Sequence, residues 1–222
     1  MSQCLVVSRN ILEKLPFWAR LNKVEGKYSA GIKLPSLEIT ELLSTIEREQ
    51  KYMERKGDDG VETKPEWQQI IFYALVTQAD KFFVYKRNHG PNFGEQRLKD
   101  KLSAGVGGHI EPHDANPIDS LPRELDEELE FTLNGTPVAV PQNIEILGVI
   151  KDEKDEVGKV HLGLVCVVKV EPNVKIAIKG DENVEGWMTT VEEYETLVTT
   201  GNYVPEGWTA LLIDNFVKNA TN

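Results

Sequence analysis

The sequence predicts an α/β or α+β sandwich around a mixed β-sheet. Strand-like apolar runs alternate with stretches of helical periodicity, the pattern that layers helices on a sheet. The composition, 40% hydrophobic and 27% charged over 222 residues, is that of an ordinary globular chain. This length suffices for one well-buried domain, or one domain with a substantial extension.

Residues 1–66 read as an N-terminal extension, packed on the core or serving a homodimer contact. Within it, Cys4–Val7 is a short buried strand, and 35–55 is a helix with Ser36 as cap and Leu37, Ile39, Leu42, Leu43 and Ile46 as its apolar stripe. The GDDG at 57–60 breaks that pattern. Residues 67–222 form the main domain. It opens with a hairpin, Ile70–Val76 and Phe82–Tyr85, turned by Gln78-Ala79-Asp80. Residues 88–100 are loop-like, and 101–110 is a glycine-rich strand leading into a tight turn that could face phosphate. A helix starts near Asp119 or Ser120, with Pro122 in its first turn and Leu121, Leu125 and Leu129 as its apolar side. Asn134-Gly135 is its expected stop. Strands follow at 144–150, 160–170 and 174–178, then a strand end at 185–189 and helices at 191–199 and 208–218.

Charge and targeting signals narrow the function. A net charge of −11 argues against general nucleic-acid backbone binding but leaves room for a small phosphorylated ligand. No apolar run reaches membrane-span length, and the N-terminus has neither a basic start nor a clear cleavage site, so a cytoplasmic chain without membrane association is expected. Cys4 and Cys166 both sit in apolar runs and are expected as buried thiols in a reducing compartment.

The chemistry concentrates between Gly107 and Phe131, in GGHIEPHDANPIDSLPRELDEELEF. On a helix, Glu124, Glu127 and Glu128 stand at i, i+3 and i+4, which places three carboxylates on one face. Their mutual repulsion favours a divalent cation, and Mg²⁺ takes hard oxygen ligands of this kind. Arg123 cannot give up its proton, so it suits pairing with a neighbouring carboxylate better than proton transfer.

This stretch resembles the signature of the Nudix hydrolases, G-x5-E-x7-R-E-U-x-E-E-x-G-U, where U is a bulky aliphatic residue. The R-E-U-x-E-E core matches from Arg123 to Glu128. Asp114 replaces the first glutamate, the spacer before Arg123 holds one extra residue, and Glu130-Phe131 stands where the family has glycine and an aliphatic residue. A Gly-Gly-His opening, here Gly107 to His109, is similar to a little-characterised subgroup of predicted phosphoesterases. The resemblance implies an α/β/α sandwich over roughly 67–218 and hydrolysis of a diphosphate bond in a nucleoside diphosphate linked to another group. It implies Mg²⁺, with Mn²⁺ as substitute, held by the Gly108 carbonyl, Glu124, Glu127 and Glu128, with Arg123, Glu124 and Glu127 in the catalytic set. In the family a later acidic loop supplies one more carboxylate. Here that points to Glu182, with Asp181, Glu153, Asp155 and Glu156 as competitors.

Substrate contacts are expected from the basic stretch 86–101, with Arg87 and Arg97 suited to charge-assisted phosphate bonds. His109 is a further candidate for the substrate, set against a structural hydrogen bond. His161 reads as a packed, satisfied histidine and His113 as a loop surface residue. Core roles are expected for Trp67, Phe93 and Trp187. Two other classes share the fold: a non-catalytic ligand-binding module, and an isopentenyl-diphosphate isomerase, whose chemistry needs a cysteine before the box. No cysteine lies between Cys4 and Cys166.

Overall fold

The structure, a computed structural model, describes residues 3–87, 101–114, 116–179 and 184–218. The first part of the chain runs β1 (Gln3–Ser8), α1 (Arg9–Leu12), β2 (Lys23–Val24), β3 (Lys27–Lys33), α2 (Ser36–Glu49) and β4 (Lys51–Glu54). Next come β5 (Trp67–Gln78), β6 (Lys81–Arg87), β7 (Lys101–Ser103), β8 (Gly105–Val106), α3 (Ser120–Glu128), β9 (Leu129–Leu133) and β10 (Thr136–Pro137). The remainder is β11 (Ile144–Asp152), α4 (Glu156–Lys159), β12 (His161–Lys169), β13 (Val174–Ile178), β14 (Val184–Thr189), α5 (Val191–Thr199), β15 (Val204–Pro205) and α6 (Gly207–Leu212). This is the expected mixture of helices with a mixed sheet.

The chain divides into two compact units that interleave along the sequence. The first holds Met1–Tyr73, Gly107–Leu121 and Ile146–Cys166. There β1 pairs antiparallel with β4 on one side and with the start of β5 on the other, in register Cys4 to Met53 and Val6 to Gln69. Cys4, Leu5, Val6 and Val7 have no exposed surface, which accounts for the uninterrupted apolar run of a strand covered on both faces. Further along, β11 pairs with β3, and β3 with β2. Residues 1–66 therefore supply strands to this unit's own sheet. The expected helix over 35–55 stops at Glu49, with Leu42, Thr45 and Ile46 buried. Residues 51–54 leave it to pair with β1, so the open sheet edge overrides helical propensity.

The second unit holds Ala74–Val106, Pro122–Glu145 and Val167–Asn222. Its β6 pairs with the whole of β14, from Phe82–Thr189 to Arg87–Val184, and with β7 on its other side. The parallel pair β15–β7 makes the sheet mixed. The expected hairpin is present, with Gln78 opposite Lys81 and Ala79 in the left-handed region at φ 53°. A separate three-stranded sheet orders β10-β9-β13.

The helix of the carboxylate stretch ends at Glu128, not near Asn134-Gly135. Leu129–Leu133 is a strand whose register pairs Leu129 with Ile178 and Phe131 with Ile176. Leu129 and Phe131 are buried and Glu130 is exposed, the period-two pattern of a strand. Asn134 and Gly135, at φ 52° and 81°, form the two-residue turn joining β9 to β10, the preferred sequence for such a hairpin. The Asn-Gly pair marks a strand reversal here, and the same dipeptide serves either purpose in sequence.

Candidate active site

The carboxylate helix is built from a defined start to a defined end. Asn116 Oδ1 accepts from the backbone N–H groups of Ile118 (3.0 Å) and Asp119 (3.3 Å), fixing a single 3₁₀ turn over Pro117–Asp119. Ser120 Oγ donates to the Pro117 carbonyl at 2.8 Å, and α3 begins there. Pro122 falls in the first turn, where its missing N–H is not needed. Leu121 and Leu125, one turn apart, have no exposed surface. At the other end the Lys179 backbone N–H donates to the Glu128 carbonyl at 2.8 Å, and its ammonium donates to the Asp126 carbonyl at 2.8 Å. A cation on the last carbonyls complements the helix dipole.

On this helix Arg123 Nη1 donates to Glu124 Oε1 at 2.9 Å and to both oxygens of Glu127, at 3.3 and 3.4 Å. Arg123 and the Glu124 side chain are largely buried, whereas Glu127 is 58% exposed. Glu124 and Glu128 are one turn apart and share a face. The expected pairing of Arg123 with neighbouring carboxylates is thus what the helix displays.

The opening of the stretch lies in the first unit. Gly107 has φ 147°, and a Cβ there would stand 2.1 Å from the Phe72 carbonyl oxygen, so only glycine fits. His109 forms an isolated bridge with Ile71 on β5. Asp114, at the family's first acidic position, accepts from the Glu111 N–H at 2.7 Å, closing a small loop.

The His109 side chain turns into a polar network. His161 Nδ1 donates to the Val157 carbonyl at 2.7 Å, so its Nε2 accepts. His109 Nε2 then carries the proton, shared between His161 Nε2 at 3.1 Å and Gln69 Oε1 at 3.0 Å. Cys4 Sγ also donates to Gln69 Oε1, at 3.3 Å. Both imidazoles are neutral. Burial, then the Arg55 charge and the neighbouring His161, lowers His109 to about 2. Burial foremost, against the bond to Val157, lowers His161 to about 4. Nearby, the ammonium of the fully buried Lys151 donates to Gln68 Oε1 (2.6 Å) and to the carbonyls of Gly158 (2.7 Å), Lys159 (3.0 Å) and His161 (3.1 Å).

Other expected residues sort as follows. Glu182, Asp181, Arg97 and Phe93 lie outside the described residues, as does the side chain of Arg87. Glu153 receives Arg9 Nη1 at 2.8 Å and the Tyr28 N–H at 3.3 Å. Asp155 caps α4 by accepting from Gly158 N–H, and Glu156 pairs with Lys159. The three competitors of Glu182 in the 151–159 loop thus carry structural bonds. His113 is exposed, 3.3 Å from Glu111. Trp67 packs on Cys4, Val6 and Val61, and the ring of Trp187 lies 5.6 Å from that of Tyr203. Cys4 and Cys166 are free, buried thiols, each pushed up to about 12 chiefly by burial. Gln68, Gln69 and Lys151 escape a motif-based reading. The signal that marks the glutamines is a polar pair inside the apolar run of β5.

The donor chemistry of Glu124, Glu127 and Glu128 fits a hard divalent ion. Among the described residues, however, no three His, Cys, Asp or Glu side chains gather closely enough to hold one. Arg123 occupies Glu124 and Glu127 instead, offsetting their repulsion as a cation would. No helix among the described residues is long and apolar enough to cross a membrane.

No family model matches the chain. It is 33% identical to protein YmaB of Bacillus subtilis (strain 168) over 182 residues, covering 77% of this chain and 81% of that protein. Among solved structures it is similar to Tm1382, a protein assigned to the Nudix hydrolases, with TM-score 0.66, 22% identity and 94% of each chain covered. DR0079 from Deinococcus radiodurans aligns with TM-score 0.49 and 13% identity, over 74% of this chain and 91% of that one. The architecture is the Nudix fold, and the R-E-U-x-E-E core sits on its helix. The chain belongs to one family with YmaB.

Proposed function

We propose that the chain is a Mg²⁺-dependent Nudix hydrolase that cleaves the diphosphate bond of a nucleoside diphosphate linked to another group. The observation that carries this reading is the helix from Ser120 to Glu128, on which Arg123 holds Glu124 at 2.9 Å beside Glu127 and Glu128. A chain that kept this core only for its shape would have no need of three carboxylates one turn apart, which repel each other.

In this reading the carboxylates of Glu124, Glu127 and Glu128 would hold the ion. When bound, Mg²⁺, or Mn²⁺ in its place, lowers the pKa of a water and neutralises phosphate oxygens. Arg123 fixes the Glu124 carboxylate by hydrogen bonding. Glu182 is the carboxylate we assign as base. Arg87 and Arg97 would hold the substrate phosphates by charge-assisted bonds.

The isomerase alternative needs a reactive thiolate. Both cysteines have no exposed surface and are raised to about 12, which weighs against it. Purified protein with Mg²⁺, screened on nucleoside triphosphates, dinucleotide cofactors, nucleotide sugars and capped dinucleotides, tests the proposal. Turnover should need the metal and fall on the order of a hundredfold or more in Glu127→Gln and Glu128→Gln. Equal turnover in wild type and both variants would sink the site; no turnover on any substrate would move the reading to a ligand-binding module.

A further inference from the structure

The contact between His109 and His161 joins two segments of the first unit, each fixed by bonds of its own. One is the segment from Val157 to His161. The Lys151 ammonium holds the carbonyls of Gly158, Lys159 and His161. Gln68 Nε2 donates to the Lys159 carbonyl at 2.9 Å, and the Gln69 N–H donates to the Val160 carbonyl at 2.7 Å. His161 Nδ1 donates to the Val157 carbonyl, so ring and backbone of His161 are both held and its Nε2 lone pair has one direction.

The other segment is the turn from Gly107 to His109. Gly107, at φ 147°, is held in a backbone region that residues with side chains avoid, and such a conformation persists only where its surroundings over-determine it. The chain leaving the turn is tied by the His109–Ile71 bridge and by the Leu5 N–H, which donates to the Ile110 carbonyl at 2.9 Å. The His109 ring is then aimed at Gln69 Oε1 and at His161 Nε2, with the two imidazole centroids 5.3 Å apart and inclined at 65°. An apolar pair of the same volume would fill this space without desolvating ring nitrogens. What the imidazole pair adds is direction. An N–H···N bond forms in one ring orientation, whereas apolar contact tolerates several.

We propose that His161 is a positioning residue: acting through His109, it sets the place of the Gly107–Gly108 backbone at the opening of the carboxylate stretch. The family resemblance implies the Gly108 carbonyl as a ligand of the ion, so the functional part of this inference rests on the hydrolase reading above. Hydrogen bonds that orient a metal ligand from behind are worth about ten- to a hundredfold in metal affinity or activity.

Two substitutions separate positioning from packing. His161→Asn keeps a donor for the Val157 carbonyl but does not reach His109, whereas His161→Gln reaches His109 with its amide oxygen. In the metal-free wild type, nitrogen NMR should show coupling across the hydrogen bond between the two Nε2 nuclei. The amide shifts of Gly107 and Gly108 should move in His161→Asn and return in His161→Gln. Mn²⁺ binding followed by electron paramagnetic resonance should give a Kd about tenfold or more higher in His161→Asn, with His161→Gln within about threefold of wild type. Circular dichroism and thermal melting confirm that each variant is folded, and His109→Leu, which breaks the same bond from its other end, serves should His161→Asn unfold. A Kd raised in His161→Asn and restored in His161→Gln, without turnover of any substrate, would uphold the positioning role and sink the hydrolase. Turnover with kcat and the Mn²⁺ Kd unchanged in His161→Asn would sink the positioning role and uphold the hydrolase. No coupling between the Nε2 nuclei, no Mn²⁺ binding by wild type, or a lowered melting temperature with an unchanged Kd overturns the proposal in favour of packing alone.

Discussion

His109 and His161 meet through their Nε2 atoms at 3.1 Å, one donating and one accepting. This contact exists only while His161 is neutral, because its protonation would set two N–H groups against each other.

Stability should therefore fall in mild acid. Burial holds His161 at about 4, below its ordinary 6.5, so between these values the unfolded chain binds more protons than the folded one. The contribution is complete above about pH 6.5 and is lost as pH drops, at up to about 1.4 kcal/mol per pH unit for one group. His109, lowered to about 2, adds a second contribution over the same window and extends it downward. Urea denaturation at pH 7, 5.5 and 4.5 should show this decline, with a shallower slope in His161→Gln. An equal slope in that variant would remove His161 from the account.

Lys151→Met should be strongly destabilising. The substitution keeps the volume of the stem but leaves Gln68 Oε1 and the carbonyls of Gly158, Lys159 and His161 without their donor. A loss of about 3 kcal/mol or more is expected, from the unmet acceptors and from Glu153 losing the ammonium 3.5 Å away. Denaturant midpoints at pH 7 measure it.

Gly107→Ala should cost more than Gly135→Ala. Both glycines have positive φ, but a Cβ at 107 would stand 2.1 Å from the Phe72 carbonyl, whereas at 135 it meets nothing within 4 Å. Roughly 1 kcal/mol is expected at 135 and several at 107, since backbone must move there. Thermal melts of the two variants decide it.

Arg123→Ala should separate activity from stability. Its exposed pair with Glu127 is worth at most about 1 kcal/mol, and its largely buried pair with Glu124 adds to the stability it contributes. Freed of Arg123, Glu124 loses its orienting bond, and turnover should fall on the order of tenfold to a hundredfold. A melting temperature that falls sharply with unchanged turnover would make Arg123 a stability residue alone.

The carboxylate core and its helix start were legible because they depend on neighbours in sequence: Asn116 on the following N–H groups, Arg123 on Glu124 and Glu127. The hairpin into β6 was legible for the same reason. What could not be read was set at long range. Residues 51–54 are strand because β1 offers an edge, and 129–133 are strand because β13 does. The network of Gln69, His109 and His161 joins three separate parts of the chain, and no local pattern records it. His109 is a substrate candidate by its position after the glycines, and its ring is bonded to Gln69 and His161, two residues far away in sequence.

The ties from Lys179 to Asp126 and Glu128 have a consequence for how the chain acquires this helix. Its stop signal is supplied by a segment synthesised much later. Until 174–179 is available, Leu129 to Leu133 have no strand partner on that side, and a run rich in leucine and glutamate favours continued helix. A peptide spanning 116–137 should accordingly show helical carbon chemical shifts past Glu128, in a solvent that stabilises helices, whereas the whole protein shows strand shifts there. The boundary of the carboxylate helix is then a product of folding order: it is written when the last third of the chain arrives.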